Sequence, residues 1–145
     1  IQSVLLLKDA KNVEVLKLDD SIELYNRYNY VKAEFDGAEY YILNIHAPQT
    51  ELFPGHEEND GYVRLRKHLA KQFYAVLKEE ISKLVADGKR IILLGDFNKN
   101  LEQPEVKELI ILGLCDIASV GEKFYPTRKI EKAPNPCISK DSGRI

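Results

Sequence analysis

The stretch Ile91-Ile92-Leu93-Leu94-Gly95-Asp96-Phe97-Asn98 decides how this chain is read. Its four leading apolar residues, preceded by Lys89-Arg90, form a run short enough for a strand buried on both faces of a sheet. Gly95 breaks the run, and Asp96 and Asn98 follow two apart. If the strand continues past Gly95, alternation sends Asp96 and Asn98 to one side and Phe97 to the other. A carboxylate and an amide then project from a strand end, where α/β sheets carry ligand and catalytic sites because the backbone is held while the side chains face open space. Asp and Asn also start turns by bonding their own backbone. The octapeptide alone leaves both readings open.

A second run ends in a similar way. Tyr40-Tyr41-Ile42-Leu43-Asn44-Ile45-His46-Ala47-Pro48 is rich in strand formers and closed by Pro48, with His46 at its tip. The ordinary pKa of His is about 6.5, so the side chain can exchange protons or donate to a phosphate oxygen near neutral pH. A lone histidine at a strand end is more often structural than catalytic.

Working outward, strand-like and helix-like segments alternate without a linker or internal repeat. Residues 3–7 and 13–18 read as strands around the turn Asp9-Ala10-Lys11-Asn12. Val31-Lys32-Ala33-Glu34-Phe35 alternates apolar and polar, and Asp36-Gly37 is a hairpin signal leading into the His46 strand. An antiparallel meander buried on one side is implied. Residues 49–61 form a polar loop longer than most connections, compatible with a functional loop or a solvated one. Leu65, Leu69, Phe73, Val76, Leu77, Ile81, Leu84 and Val85 then recur at three and four, which predicts a long amphipathic helix stopped by Asp87-Gly88. Arg64, Arg66, Lys67, His68 and Lys71 near its start read as a solvated face. A second helix starts near Pro104 and ends before Gly113. From Phe124 onward, Pro126, Pro134 and Pro136 suggest strand fragments joined by a loop.

Composition sets outer bounds. The 145 residues fit one domain, and 44 % hydrophobic with 30 % charged residues is ordinary for a folded soluble piece. The net charge of −2 provides no global basic field, so any nucleic-acid contact must be local. No segment is long and apolar enough for a membrane span, and no signal peptide opens the chain. Cys115 and Cys137 lack metal-ligand spacing and are too few for a disulfide framework, which makes a cytoplasmic location the default expectation.

Taken together, Asn44-Ile45-His46-Ala47-Pro48 and Gly95-Asp96-Phe97-Asn98, about fifty residues apart with a helix between, resemble the endonuclease/exonuclease/phosphatase superfamily typified by deoxyribonuclease I. Gly113-Leu114-Cys115-Asp116 resembles the Gly-Leu-x-Asp that follows the next helix in that family. Phe124-Tyr125-Pro126-Thr127 resembles the aromatic-Thr segment after it, and Gly143-Arg144-Ile145 looks like the start of its Arg-Ile-Asp-Tyr strand. Members open with a strand bearing a catalytic Asn, continue with one bearing a metal-binding Glu, and close with Ser-Asp-His. None of the three occurs here. The expectation is therefore the central portion of a single domain, residues 1–145, trimmed at both ends.

The resemblance implies an α/β fold in which two packed mixed β-sheets are flanked by helices, a four-layer sandwich. It implies a divalent-metal-dependent phosphoesterase that hydrolyses phosphodiester or phosphomonoester bonds by in-line attack of activated water, with Mg²⁺, or Mn²⁺ or Ca²⁺, as cofactor. In that scheme Asp96 orients or deprotonates the water and contacts a metal, Asn98 holds a phosphate oxygen through its amide, and His46 donates to another. The substrate would be nucleic acid or a small phosphoester. Because His46 stands where apurinic endonucleases of the family place Tyr, the chain leans toward the deoxyribonuclease, sphingomyelinase and small-phosphatase side.

Other phosphate chemistries fit less well. The Walker pattern is absent, there is no Gly-x-Ser-x-Gly elbow, and the Gly-Asn-His segment of calcineurin-like phosphatases is missing. The competing expectation is a catalytically inactive fragment or binding module of the same family, since removing members of a site that acts as a unit removes most of its rate advantage.

Overall fold

In a computed structural model of the chain, the structure describes residues 4–20, 25–50 and 61–117. Expectations for residues 124–127 and 143–145, for Cys137 and for most of the polar loop fall outside the described residues. The elements run β1 (Lys11–Val15), a single 3-10 turn (Tyr25–Arg27), β2 (Tyr28–Phe35), β3 (Ala38–His46), α1 (Gly61–Ala86), β4 (Arg90–Asp96) and α2 (Pro104–Ile111). The strands form one mixed sheet in the order β1-β2-β3-β4. β1, β2 and β3 are antiparallel neighbours, whereas β4 lies parallel to β3 after the crossover through α1.

The hairpin between β2 and β3 is written in two residues. Asp36 and Gly37 have φ of 50° and 77°, the doubly left-handed geometry that lets a two-residue turn match strand twist. It fixes the register Phe35↔Ala38 through Tyr28↔Ile45. The strand expected at 13–18 lies at Lys11–Val15, and residues 4–7 form no strand. They run instead over the sheet, where Leu5 and Leu7 pack on Val31, Ala33 and Ile42.

The opposite face carries the main core. Tyr30, Leu43 and Ile45 pack under Phe73, Tyr74, Leu77 and Ile81 of α1, with Leu109 of α2 closing one side. The Tyr30 hydroxyl donates to Glu80 Oε1 at 2.6 Å, which satisfies the polar end of an otherwise buried ring. The apolar stripe read from sequence needs one correction. Ala70 and Tyr74 are buried, whereas Leu65 and Val85 are exposed, because at 3.6 residues per turn they rotate away from the line of Phe73, Leu77, Ile81 and Leu84.

The larger correction concerns β4, which is not buried on both faces. Ile91 and Leu93 pack toward the core, but Ile92 and Leu94 are 39 % and 37 % exposed. Among the described residues β4 is the last strand of the sheet, and the segment that covers the far face reaches Val31, Ala33 and Ile42 but stops short of it. Among the described residues there is one sheet with helices, so the two-sheet sandwich is not built from them.

Candidate active site

The parallel register between β3 and β4 brings the two strand ends side by side. His46 is the direct partner of Asp96, one step beyond Ile45↔Gly95. Parallel neighbours lie about 4.8 Å apart. The imidazole and the carboxylate, from motifs fifty positions apart, therefore share one edge, and both are half-buried.

Gly95 is what permits this approach. Its φ is +120°, and a Cβ there would lie 2.0 Å from the Ile45 carbonyl oxygen and 2.7 Å from the Ile45 nitrogen. No side chain fits against the β3 backbone at that point. Immediately beyond, the Ala47 N–H donates to the Asp96 carbonyl oxygen at 2.8 Å, extending the ladder by one bond past the strand ends.

Asn98 reaches the same place by a different route from the one its spacing suggests. The strand ends at Asp96, so alternation does not carry on to Asn98. Asp96 Oδ1 accepts the Asn98 backbone N–H at 2.9 Å, an Asx turn, and Asn98 adopts φ of 48°. The turn swings the Asn98 side chain back onto β3, where Nδ2 donates to the Ala47 carbonyl oxygen at 2.7 Å. Turn and strand-end placement, alternatives in the sequence, hold together here. Each side chain keeps capacity for a ligand: Oδ2 on Asp96, and the second N–H and the oxygen on Asn98.

Further contacts support the two strand ends. Phe97 packs against the α1-side core, and the Tyr74 hydroxyl donates to its carbonyl oxygen. Lys99, with its side chain 11 % exposed, pairs with Glu105 of α2 at 3.1 Å, so the cation next to Asn98 is committed to the scaffold. Beneath His46, the buried Asn44 donates to the Val4 carbonyl oxygen at 3.1 Å and to Asn29 Oδ1 at 3.4 Å. Burial pushes the Tyr74 phenol above the ordinary tyrosine range, and the Glu105 and Asp96 carboxylates add to that shift. A tyrosine one position after Phe73, inside an apolar stripe, is the only sequence trace of this support.

A separate concavity lies beside β4. An apolar groove of about 860 Å³ runs between β4 and α2, lined by Ile92, Leu94, Val106 and Ile110 among others, and His46 and Asp96 are not part of its wall. For a metal, the described residues fall short. They contain no group of three His, Cys, Asp or Glu side chains able to hold an ion, and Asp96 already shares one oxygen with the Asn98 N–H. No helix among the described residues is long and apolar enough to cross a membrane.

No protein-family model matches the sequence, and no curated protein sequence matches it. Two solved structures overlap part of it: beta toxin 275-280 and a beta hairpin deletion mutant of beta toxin, both from Staphylococcus aureus. Each is 22 % identical and covers 60 % of this chain and 29 % of its own, with TM-scores of 0.35 and 0.36. The chain thus spans less than a third of those proteins' length. What the strand ends can do rests on their own geometry and not on this likeness.

Proposed function

We propose that the chain carries the phosphate-handling strand ends of a divalent-metal-dependent phosphoesterase. The observation that supports this reading best is the pairing of His46 with Asp96 at the ends of parallel strands, with Asn98 tied to the residue after His46. A proton donor, a carboxylate and a neutral amide then meet at one edge. Asp96, through Oδ2, orients or deprotonates the attacking water. His46 and the second Asn98 N–H donate to phosphoryl oxygens, where their preorganised dipoles count most as charge develops. The metal implied by the resemblance is not accounted for by the described residues. Nucleic acid and small phosphoesters are both admissible substrates.

A second reading is phosphate binding without turnover. It is favoured by the engagement of Asp96 Oδ1 and Asn98 Nδ2 in holding their own turn. The test is cleavage of plasmid DNA and of bis-p-nitrophenyl phosphate with Mg²⁺, with and without chelator, comparing the wild-type chain with Asp96→Asn. Chelator-sensitive activity lost in Asp96→Asn supports the phosphoesterase reading. Activity indifferent to that substitution refutes the site, and absence of activity with retained phosphate binding favours the second reading.

A further inference from the structure

The turn that presents Asp96 and Asn98 is held from three sides, by β3, α2 and α1. On the β3 side, the Ala47 N–H binds the Asp96 carbonyl oxygen and the Ala47 carbonyl oxygen receives Asn98 Nδ2. On the α2 side, Glu105 fixes Lys99. Between them lies Phe97, whose half-buried ring packs against the core and whose carbonyl oxygen points at α1. Tyr74 meets it there. The tyrosine is 5 % exposed, its ring stands edge-on to Phe73 at 5.8 Å, and its hydroxyl has a single donor proton to give.

We propose that Tyr74 is a positioning residue of the candidate site: its hydroxyl, donated to the Phe97 carbonyl oxygen, sets the angle at which Asp96 and Asn98 leave the end of β4. The chemical meaning of this role rests on the phosphoesterase reading; its geometry does not. Peptide planes on either side of Phe97 carry the two side chains that must converge on one ligand. A rotation of the Phe97 carbonyl turns the plane that contains the Asn98 nitrogen, and that nitrogen is the donor closing the Asx turn on Asp96. Loss of the phenol therefore acts on both residues at once. A misplacement of about 1 Å in a reacting constellation can cost on the order of a hundredfold in rate. The Tyr74 hydroxyl proton goes to the Phe97 carbonyl oxygen and not to a side chain of His46, Asp96 or Asn98, so its role is to position and not to catalyse. Its elevated pKa fits a phenol kept protonated for this bond.

The experiment compares the 145-residue chain with Tyr74→Phe by amide hydrogen exchange and by NMR of the Asn98 side-chain amide, with Ser82→Ala on the same helix as control. Neutral hydrogen bonds contribute about 1 kcal/mol net, so exchange at the Ala47 and Asn98 amides should quicken about fivefold in Tyr74→Phe. Exchange at Leu43 in the core should rise much less, and the Asn98 side-chain signals should shift. A merely structural tyrosine would raise all these rates together and leave the Ala47-to-Leu43 ratio as in the wild type; that outcome overturns the proposal. If Tyr74→Phe fails to fold, the wild type still decides. A slowly exchanging Tyr74 hydroxyl proton near Phe97 supports the bond, and a Tyr74 phenol exchanging as fast as the exposed tyrosines refutes it. Because none of these readings needs turnover, they stand apart from the Asp96→Asn assay.

Discussion

Gly95→Ala offers the sharpest test of how the strand ends are assembled. The new methyl would sit 2.0 Å from the Ile45 carbonyl oxygen and 2.9 Å from the Ile45 carbonyl carbon, both backbone atoms that no rotamer change can move. Ordinary contact begins near 3.4 Å, so β3 and β4 must part by roughly 1.4 Å. Overpacking of that kind costs about 1–3 kcal/mol. Holding a side-chain-bearing residue at φ of +120° adds about 1–3 kcal/mol. Parting the strands also weakens the Ala47-to-Asp96 bond of 2.8 Å, worth about 1 kcal/mol. The sum is roughly 3–7 kcal/mol. For a domain of this size each kcal/mol lowers the melting temperature by about 2–4 °C, so a drop of at least about 6 °C is expected by circular dichroism. Gly88→Ala supplies the comparison, since Gly88 also has positive φ, at 64°, but its Cβ would meet nothing within 4 Å. It should cost about 1–2 kcal/mol, the left-handed penalty alone. Equal destabilisation by the two substitutions would refute the argument that the close approach of β4 to Ile45 makes Gly95 obligatory.

Other predictions follow from the same structure. Leu77→Ala removes a side chain with no exposed surface and should cost about 2–5 kcal/mol in urea unfolding, whereas Leu65→Ala, at 54 % exposure, should fall within about 0.5 kcal/mol of wild type. Asn98→Ala loses the bond to the Ala47 carbonyl oxygen and keeps a left-handed backbone without the residue that tolerates it, so a loss of about 2 kcal/mol is expected; Asn98→Gly should recover part of it. Tyr74 is raised first by burial and Tyr30 first by burial and then by its bond to Glu80. Both phenols keep their protons in the folded state, while the unfolded chain releases them near pH 10. Their contribution is thus complete below about pH 10 and is lost as pH rises beyond it. Unfolding midpoints measured between pH 8 and 11 should fall, and less steeply in Tyr74→Phe; an unchanged slope in that variant would contradict the assignment.

Much of the fold was legible because periodicity and turn chemistry are local. Asp36-Gly37 specifies a hairpin by demanding two positive φ values, and Gly88 stops α1 with a third. Pro104 opens α2, and Gly113, at φ of 111°, lies just beyond its end. The exposure of Ile92 and Leu94 was not legible, since an apolar run reads as buried whether or not anything covers its second face. That depends on the neighbours of β4, and only the order of strands decides them. At the candidate site, the structure sets His46 and Asp96 side by side, but Asn98 arrives by a different route from the one its spacing suggests. Alternation assumes a continuing strand, and Gly95 with the Asx turn ends it.

By itself, then, the sequence determined which residue types stand at two strand ends and that a helix separates them, because those properties follow from neighbours along the chain. Only the tertiary structure decided that the ends are register partners, that Gly95 must lack a side chain, and that Tyr74 and Glu105 hold the turn between them. Each of those depends on backbone brought within hydrogen-bond reach across dozens of residues, a distance over which one-dimensional patterns carry no geometry.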